Sequence, residues 1–256
     1  TLINYDIGQA IIEDKLTPYE YNPICIDLTT DEVEKYVKLS NFIVRLENSD
    51  DRNENLIKLK KLERTRLIGS AANKLPTLLK LIVKHKNNLE NNGEKFQHAL
   101  IYCNTGTHKE VLKEISNLDI KVHEFVHEVP TGKRKEVLKA FQNGEIEALV
   151  AMKCLDEGVD IPPTRRAYML ASSTNPTEFV QRRGRILRTS EGKEYALFYD
   201  FMIGPWNNLS KFSYKSARSL LKRELPRFAE FAEDAKNKYE AREVIWDTVE
   251  KLDLIY

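Results

Sequence analysis

The chain has 256 residues, 41% hydrophobic and 31% charged, with a formal net charge of +1 at pH 7. It exceeds a minimal module and can hold one large core or two compact units. No apolar run approaches the roughly 20 residues that cross a bilayer, which excludes a membrane span, and a near-zero net charge confines any basic surface to a local patch.

No signal peptide opens the sequence, and it begins at Thr1, which reads as a piece of a longer cytoplasmic protein. Cys25, Cys103 and Cys154 are far apart with no CxxC pair, as expected for reduced, buried thiols and not for a cysteine-rich zinc site. Residues 1–28 mix a short helical pattern (Ile7 to Ile12) with Pro18, Pro23 and a strand-like ICIDL, and read as a connector docked on a domain. Residues 29–96 read as a helical lead-in. Thr29 and Glu32 form a capping-box signature opening a helix to about Leu46, and two further helices are predicted near 54–71 and 73–90.

The texture changes at residue 97. Strands are predicted at ALIYC (99–103), KVHEF (121–125), ALVAM (148–152), AYMLA (167–171) and YALFYDF (195–201). Helices are predicted between them near 107–117, 131–142 and 179–188. Alternation of this kind predicts an α/β domain over 97–203, a parallel sheet covered by helices on both faces. Residues 204–256 read as a C-terminal helical extension, with LLKRELPRFAEFAEDAKNKYEAREVIWDTVEKL as its longest stretch.

Ligands of parallel sheets bind beyond the strands' carboxyl ends, where two loops carry chemistry. KCLDEGVDIP (153–162) offers Gly158 for a close backbone approach and Asp160 as a carboxylate for a hydroxyl or a facing arginine. NTGTHKE (104–110) offers Thr105, Gly106 and Thr107 for a phosphate at a helix N-terminus, or equally a simple helix cap. TGKRKE (131–136) opens a helix with basic residues, Lys133 and Arg134 among them, against the helix dipole, and Lys153 begins the KCLDEGVDIP loop.

FVQRRGRILR (179–188) places four arginines and a glycine in ten residues. At about 100° per residue, Gln181, Gly184, Arg185 and Arg188 share one arc while Phe179, Ile186 and Leu187 face the opposite way. A planar donor and two guanidinium forks flanking a gap suit an anion such as phosphate. Arg182 and Arg183 lie off that arc and read as surface or interdomain ion pairs.

ALIYC, VAMKCLDEGVDIP and QRRGRILR together resemble motifs IV, V and VI of superfamily 2 helicases and translocases, in their second RecA-like domain. The branch holding XPB-like repair helicases and restriction-enzyme motors is the nearest in pattern. The resemblance covers about 99–203, with Met152-Lys153 where relatives often carry Thr. It implies ATP and Mg²⁺ bound mainly by a preceding RecA-like domain of the same protein, with DNA tracking across both. By that resemblance Arg185 and Arg188 contact the γ-phosphate, with Arg188 as arginine finger. Gln181 couples nucleotide to the interface, Gly158 and Asp160 lie near the ribose, and Glu157 supports the loop. Thr105, Gly106, Thr107, Lys133, Arg134 and Lys153 contact strand phosphates. The expected function is thus the C-terminal half of an ATP-dependent helicase or translocase in DNA repair or restriction.

No GxxxxGK[ST] occurs: Gly132-Lys133 has His127 where the first glycine belongs and Arg134 where Ser or Thr belongs. The acidic TDEVE (30–34) is accounted for by the capping box. This chain alone is therefore expected not to hydrolyse ATP. Two other readings compete, a non-catalytic helicase-like scaffold and a zinc protease built on HEFVH (123–127). The second needs a helix to bring His123 and His127 together, whereas a strand sets them about 13 Å apart.

Overall fold

The computed structural model describes residues 7–104, 106–126, 131–152, 161–171 and 176–254. Six strands form one parallel sheet: β1 (Tyr19–Ile26), β2 (Ala99–Tyr102), β3 (Val122–Phe125), β4 (Ala148–Ala151), β5 (Arg166–Met169) and β6 (Ala196–Ile203), in spatial order β1-β6-β5-β2-β4-β3. Every residue of β2 and β4 is buried, which is why ALIY and ALVA are continuous apolar runs, as strands covered on both faces require. The edge strands are mixed. β1 carries Pro23 in mid-strand, tolerated because its ladder runs to β6 alone.

Ten α-helices are described, besides a short 3-10 helix at Leu209–Lys211: α1 (Ile7–Ile12), α2 (Thr30–Glu47), α3 (Glu54–Gly69), α4 (Lys74–Asn91), α5 (His108–Ser116), α6 (Thr131–Gln142), α7 (Pro176–Ile186), α8 (Tyr214–Lys222), α9 (Leu225–Glu233) and α10 (Lys238–Lys251). The capping box at Thr29 forms in both directions. The Glu32 N–H donates to Thr29 Oγ1 at 3.3 Å, and the Thr29 N–H donates to Glu32 Oε2 at 2.9 Å. Such a cap is worth about 1 kcal/mol. The other carboxylate oxygen of Glu32 accepts the Ala72 N–H at 2.9 Å, so one acidic side chain both starts α2 and holds the approach to α4.

The stretch read as a connector supplies β1, longer than ICIDL, and β1 pairs with β6 along its whole length. Its outer edge is covered by the chain near Asn237. The Asn237 side chain accepts the Tyr21 N–H at 2.8 Å and donates to Tyr21 O at 3.0 Å, while the Lys236 N–H donates to Tyr19 O at 2.9 Å. Pairing of this kind blunts an otherwise open sheet edge. The long polar C-terminal stretch is three helices, α8 to α10. Pro226, without an N–H, stands in the first turn of α9, where none is needed, and so marks the break after α8. These helices join the common core through Phe228, Phe231 and Ile245. Beneath them Arg227 reaches Asp200 on β6 (Nε to Oδ2, 2.8 Å) and Glu224 (Nη2 to Oε2, 2.7 Å), and Tyr21 Oη donates to the same Asp200 oxygen at 2.8 Å.

Candidate functional site

The apolar back of α7 is buried as its period demands. Phe179, Ile186 and Leu187 are all in the core, and the Phe179 ring lies 6.1 Å from that of Phe231 on α9. On the other side Gln181 is exposed, and a Cβ added at Gly184 would meet nothing within 4 Å. Arg185 is half-buried, and its Nη1 is buried with no hydrogen-bond partner among the described residues. The helical arc holds only as far as Arg185. The helix ends at Ile186, and Arg188 is exposed in an antiparallel bridge with Leu16. The chain leaves helical geometry because Leu187 O accepts the N–H of Thr17, just ahead of β1, at 2.7 Å. Arg188 therefore joins Arg185 at one end of the helix but is not on its continued face.

Arg182 departs from the reading as a surface or interdomain ion pair, whereas Arg183 does pair with acids of the C-terminal extension but is buried and not on the surface. They are 4% and 1% exposed. The Arg182 guanidinium stacks 4.5 Å over the ring of Tyr102, the last residue of β2. Arg183 donates from Nη1 to Tyr19 Oη (2.8 Å) and Glu230 O (2.5 Å), and from Nη2 to Glu230 Oε1 (2.6 Å); Asp234 Oδ2 lies 3.6 Å from Nη1. Burial holds the Tyr19 hydroxyl well above its ordinary pKa, so it stays protonated beside Arg183. The signal was present in the sequence: residues 179, 182, 183 and 186 are spaced 3, 4 and 7 from Phe179, the same stripe that buries Ile186.

At the carboxyl ends of the strands, the loop after β2 runs through Asn104 to Gly106, whose φ of +100° suits glycine, and Thr107. Thr107 does not cap α5 with its side chain. Its Oγ1 donates back to Asn104 O at 3.1 Å, and Asn104 Nδ2 donates to Gly69 O at 3.0 Å. Lys133 is exposed and Arg134 half-buried in the first turn of α6, which contains no acidic residue. Thr105, Lys153, Glu157, Gly158 and Asp160 lie outside the described residues. Strand order places β2 between β4 and β5, so these two strands are not direct neighbours.

The crossover α7 starts at the carboxyl end of β5 and returns the chain to the amino end of β6. Eleven helical residues span about 16 Å, and the contact of Leu187 with Thr17 fixes the far end beside the start of β1. Arg185 and Arg188 thus stand at the opposite end of the sheet from Gly106, Thr107 and Lys133. His123 and Glu124 lie in strand β3, not in the helix that HEFVH zinc chemistry requires, and His123 Nδ1 sits 2.7 Å from Glu124 O. His127 is outside the described residues; among those described, no group of three His, Cys, Asp or Glu side chains is placed to hold a metal. No described helix is long and apolar enough to cross a membrane.

Comparison with known proteins agrees with this architecture. Residues 73–190 match the helicase conserved C-terminal domain. A stretch of 58 residues is 40% identical to the DNA 3'-5' translocase XPB2 of Sulfurisphaera tokodaii, covering 23% of this chain and 13% of that protein. A stretch of 103 residues is 32% identical to the UvrABC system protein B of Thermosipho africanus, covering 38% of this chain and 16% of that protein. The chain thus aligns with under a fifth of the length of either relative. The crystal structure of T4 UvsW shares the fold, with a TM-score of 0.54 at 18% identity over 86% of this chain and 40% of that one.

Proposed function

We propose that this chain, which carries a superfamily 2 helicase C-terminal domain, is the second motor domain of an ATP-dependent DNA translocase or helicase serving DNA repair or restriction. It works in the cytoplasm against a RecA-like domain that precedes it in the same protein. The observation that carries the reading is the front of α7. Gln181 and Gly184 leave it open and the half-buried Arg185 stands beside them, while Arg182 and Arg183 pin the helix from behind. A guanidinium fork beside an open front suits an anion, and a helix anchored on its back is a rigid mount for it.

When bound, ATP with Mg²⁺ supplies the transferable phosphoryl group, held mainly by the preceding domain. In this reading Arg185 and Arg188 donate to γ-phosphate oxygens. Their fixed forks neutralise charge as it redistributes, the kind of contribution that gives ~10³–10⁵ in rate. Gln181 hydrogen-bonds at the interface, and Gly158, Asp160 and Glu157 form the ribose-side loop. Gly106, Thr107, Lys133 and Arg134 at the other end of the sheet hold strand phosphates, and Thr105 and Lys153 share that role. Nucleotide and DNA then meet opposite ends of one rigid sheet, so closure of the two domains on ATP shifts the DNA-binding loops. The test compares DNA-stimulated ATP hydrolysis by the full-length protein with that of this chain alone. Stimulated turnover is expected only for the former. Turnover by this chain alone, or none by the full-length protein with DNA, contradicts the reading, the latter in favour of a scaffold.

A further inference from the structure

Lys193 follows the arginine helix by a short turn and is only 8% exposed. Its ammonium has three N–H groups, and each has a carbonyl: Ile186 O at 2.5 Å, Arg188 O at 3.0 Å and Pro162 O at 3.0 Å. Ile186 ends α7, Arg188 follows two residues beyond it, and Pro162 closes the KCLDEGVDIP stretch. The carbonyl between, Leu187 O, is taken by the Thr17 N–H. Three successive carbonyls are thus fixed, two of them by one side chain. Gly192 permits this return, with φ +67° and Arg165 Nη2 only 3.3 Å from where a Cβ would stand.

A lysine at a helix C-terminus commonly satisfies orphan carbonyls from solvent. Lys193 differs in being buried and in binding a third carbonyl from another segment. Around it, Arg165 and Arg166 approach from the start of β5, Glu94 and Lys95 from the turn before β2, and Glu194 follows it in the chain. Burial, with Arg165 adding to it, pulls the amine down to about 7. A charge so desolvated does little for overall stability, so its place in the fold calls for another reason.

The geometry points to Lys193 as a positioning residue that locks the Arg185–Arg188 end of α7 to the end of the KCLDEGVDIP loop, so that the two motifs move as one unit. Its catalytic consequence rests on the phosphate-facing role proposed for Arg188. Hydrogen exchange and urea unfolding of this chain test the lock with Lys193→Met, of similar length but without donors, and Lys193→Gln, which keeps two. Exchange should rise at least tenfold in segments 164–166 and 187–190 in Lys193→Met, with β2 and β4 unchanged and partial recovery in Lys193→Gln. Should Lys193→Met fail to fold, NMR of the wild-type chain decides, by an exchange-protected lysine Nζ signal that is lost in Lys193→Gln. Unchanged exchange, exchange that rises everywhere with a lower midpoint, or no such signal overturns the proposal. In the full-length protein, Lys193→Met should lower kcat for ATP about tenfold with KM within about twofold, and Lys193→Gln should recover most of it. Full activity of Lys193→Met also overturns the lock, whereas full activity of Arg188→Ala overturns the finger reading and leaves the exchange result standing.

Discussion

Arg182 and Arg183 are neighbours of Arg185 in sequence and unlike it in role. Arg183 is enclosed by Tyr19, Glu230, Asp234 and the Phe231 ring, 5.2 Å away. Arg183→Ala should strip Tyr19 of its hydrogen-bond donor and leave two acids uncompensated. Breaking a buried pair from one side costs about 3–5 kcal/mol, and the partial exposure of Glu230 moves the expectation to the low end, near 3. Arg182→Ala loses a cation–π contact and part of its packing, for about 1–2 kcal/mol. Urea unfolding of the two variants checks this, and wild-type midpoints for both would contradict the burial. Arg182 cannot serve as a neutral control for Arg188; Arg242, on the exposed side of α10 with Glu233, is the better choice.

Among the elements, those with a clean period were legible. ALIY and ALVA read as buried strands because nothing polar interrupts them, and Thr29-x-x-Glu32 marked a helix start because both halves of the cap are in the sequence. What was less legible depended on distant partners. The end of α7 is set by Thr17 and Lys193, and the length of β1 by β6 and Asn237, none of which local spacing reveals. The alternation of strands and helices also left the strand order open, and so hid that β2 lies between β4 and β5. At the α6 end, Lys133 and Arg134 occupy a first turn with no acidic residue, an arrangement that works against the dipole unless an anion is near. We expect this chain to bind single-stranded DNA weakly, and charge removal at Lys133, Arg134 and Lys153 to weaken it for all sequences alike. The slope of log affinity on log salt should fall by about 2, from ~0.7 per lost contact. An unchanged slope in fluorescence anisotropy titrations would put the strand elsewhere.

For the whole molecule, buried amines give stability a pH dependence of definite sign. Burial holds Lys193 at about 7 and Lys74, whose Nζ donates to Leu170 O at 2.6 Å, at about 8, against 10.5 for an ordinary lysine. Between the folded and unfolded pKa values the unfolded chain binds more protons, so stability rises with pH. Urea unfolding should show a gain on the order of a few kcal/mol from pH 6.5 to 9.5, each pKa unit being worth about 1.4 kcal/mol. Above about pH 10 the trend should reverse, because burial keeps Tyr19, Tyr168 and Tyr199 protonated in the folded state alone. A flat or falling profile below pH 9 would mean that these lysines reach water.

The same architecture sets basic residues at one end of the sheet and Arg185 and Arg188 at the other, where the proposed function has them act on a phosphoryl group in flight. Steady-state ATP hydrolysis by the full-length protein carrying Arg188→Ala tests it most directly, with DNA saturating and Arg242→Ala as control. The expected result is a kcat lower by ~10²-fold or more, nucleotide and DNA affinity changed far less, an unaltered unfolding midpoint, and little rescue by Arg188→Lys, whose ammonium lacks the planar fork. A kcat for Arg188→Ala within a few-fold of wild type, equal to that of Arg242→Ala, would contradict it.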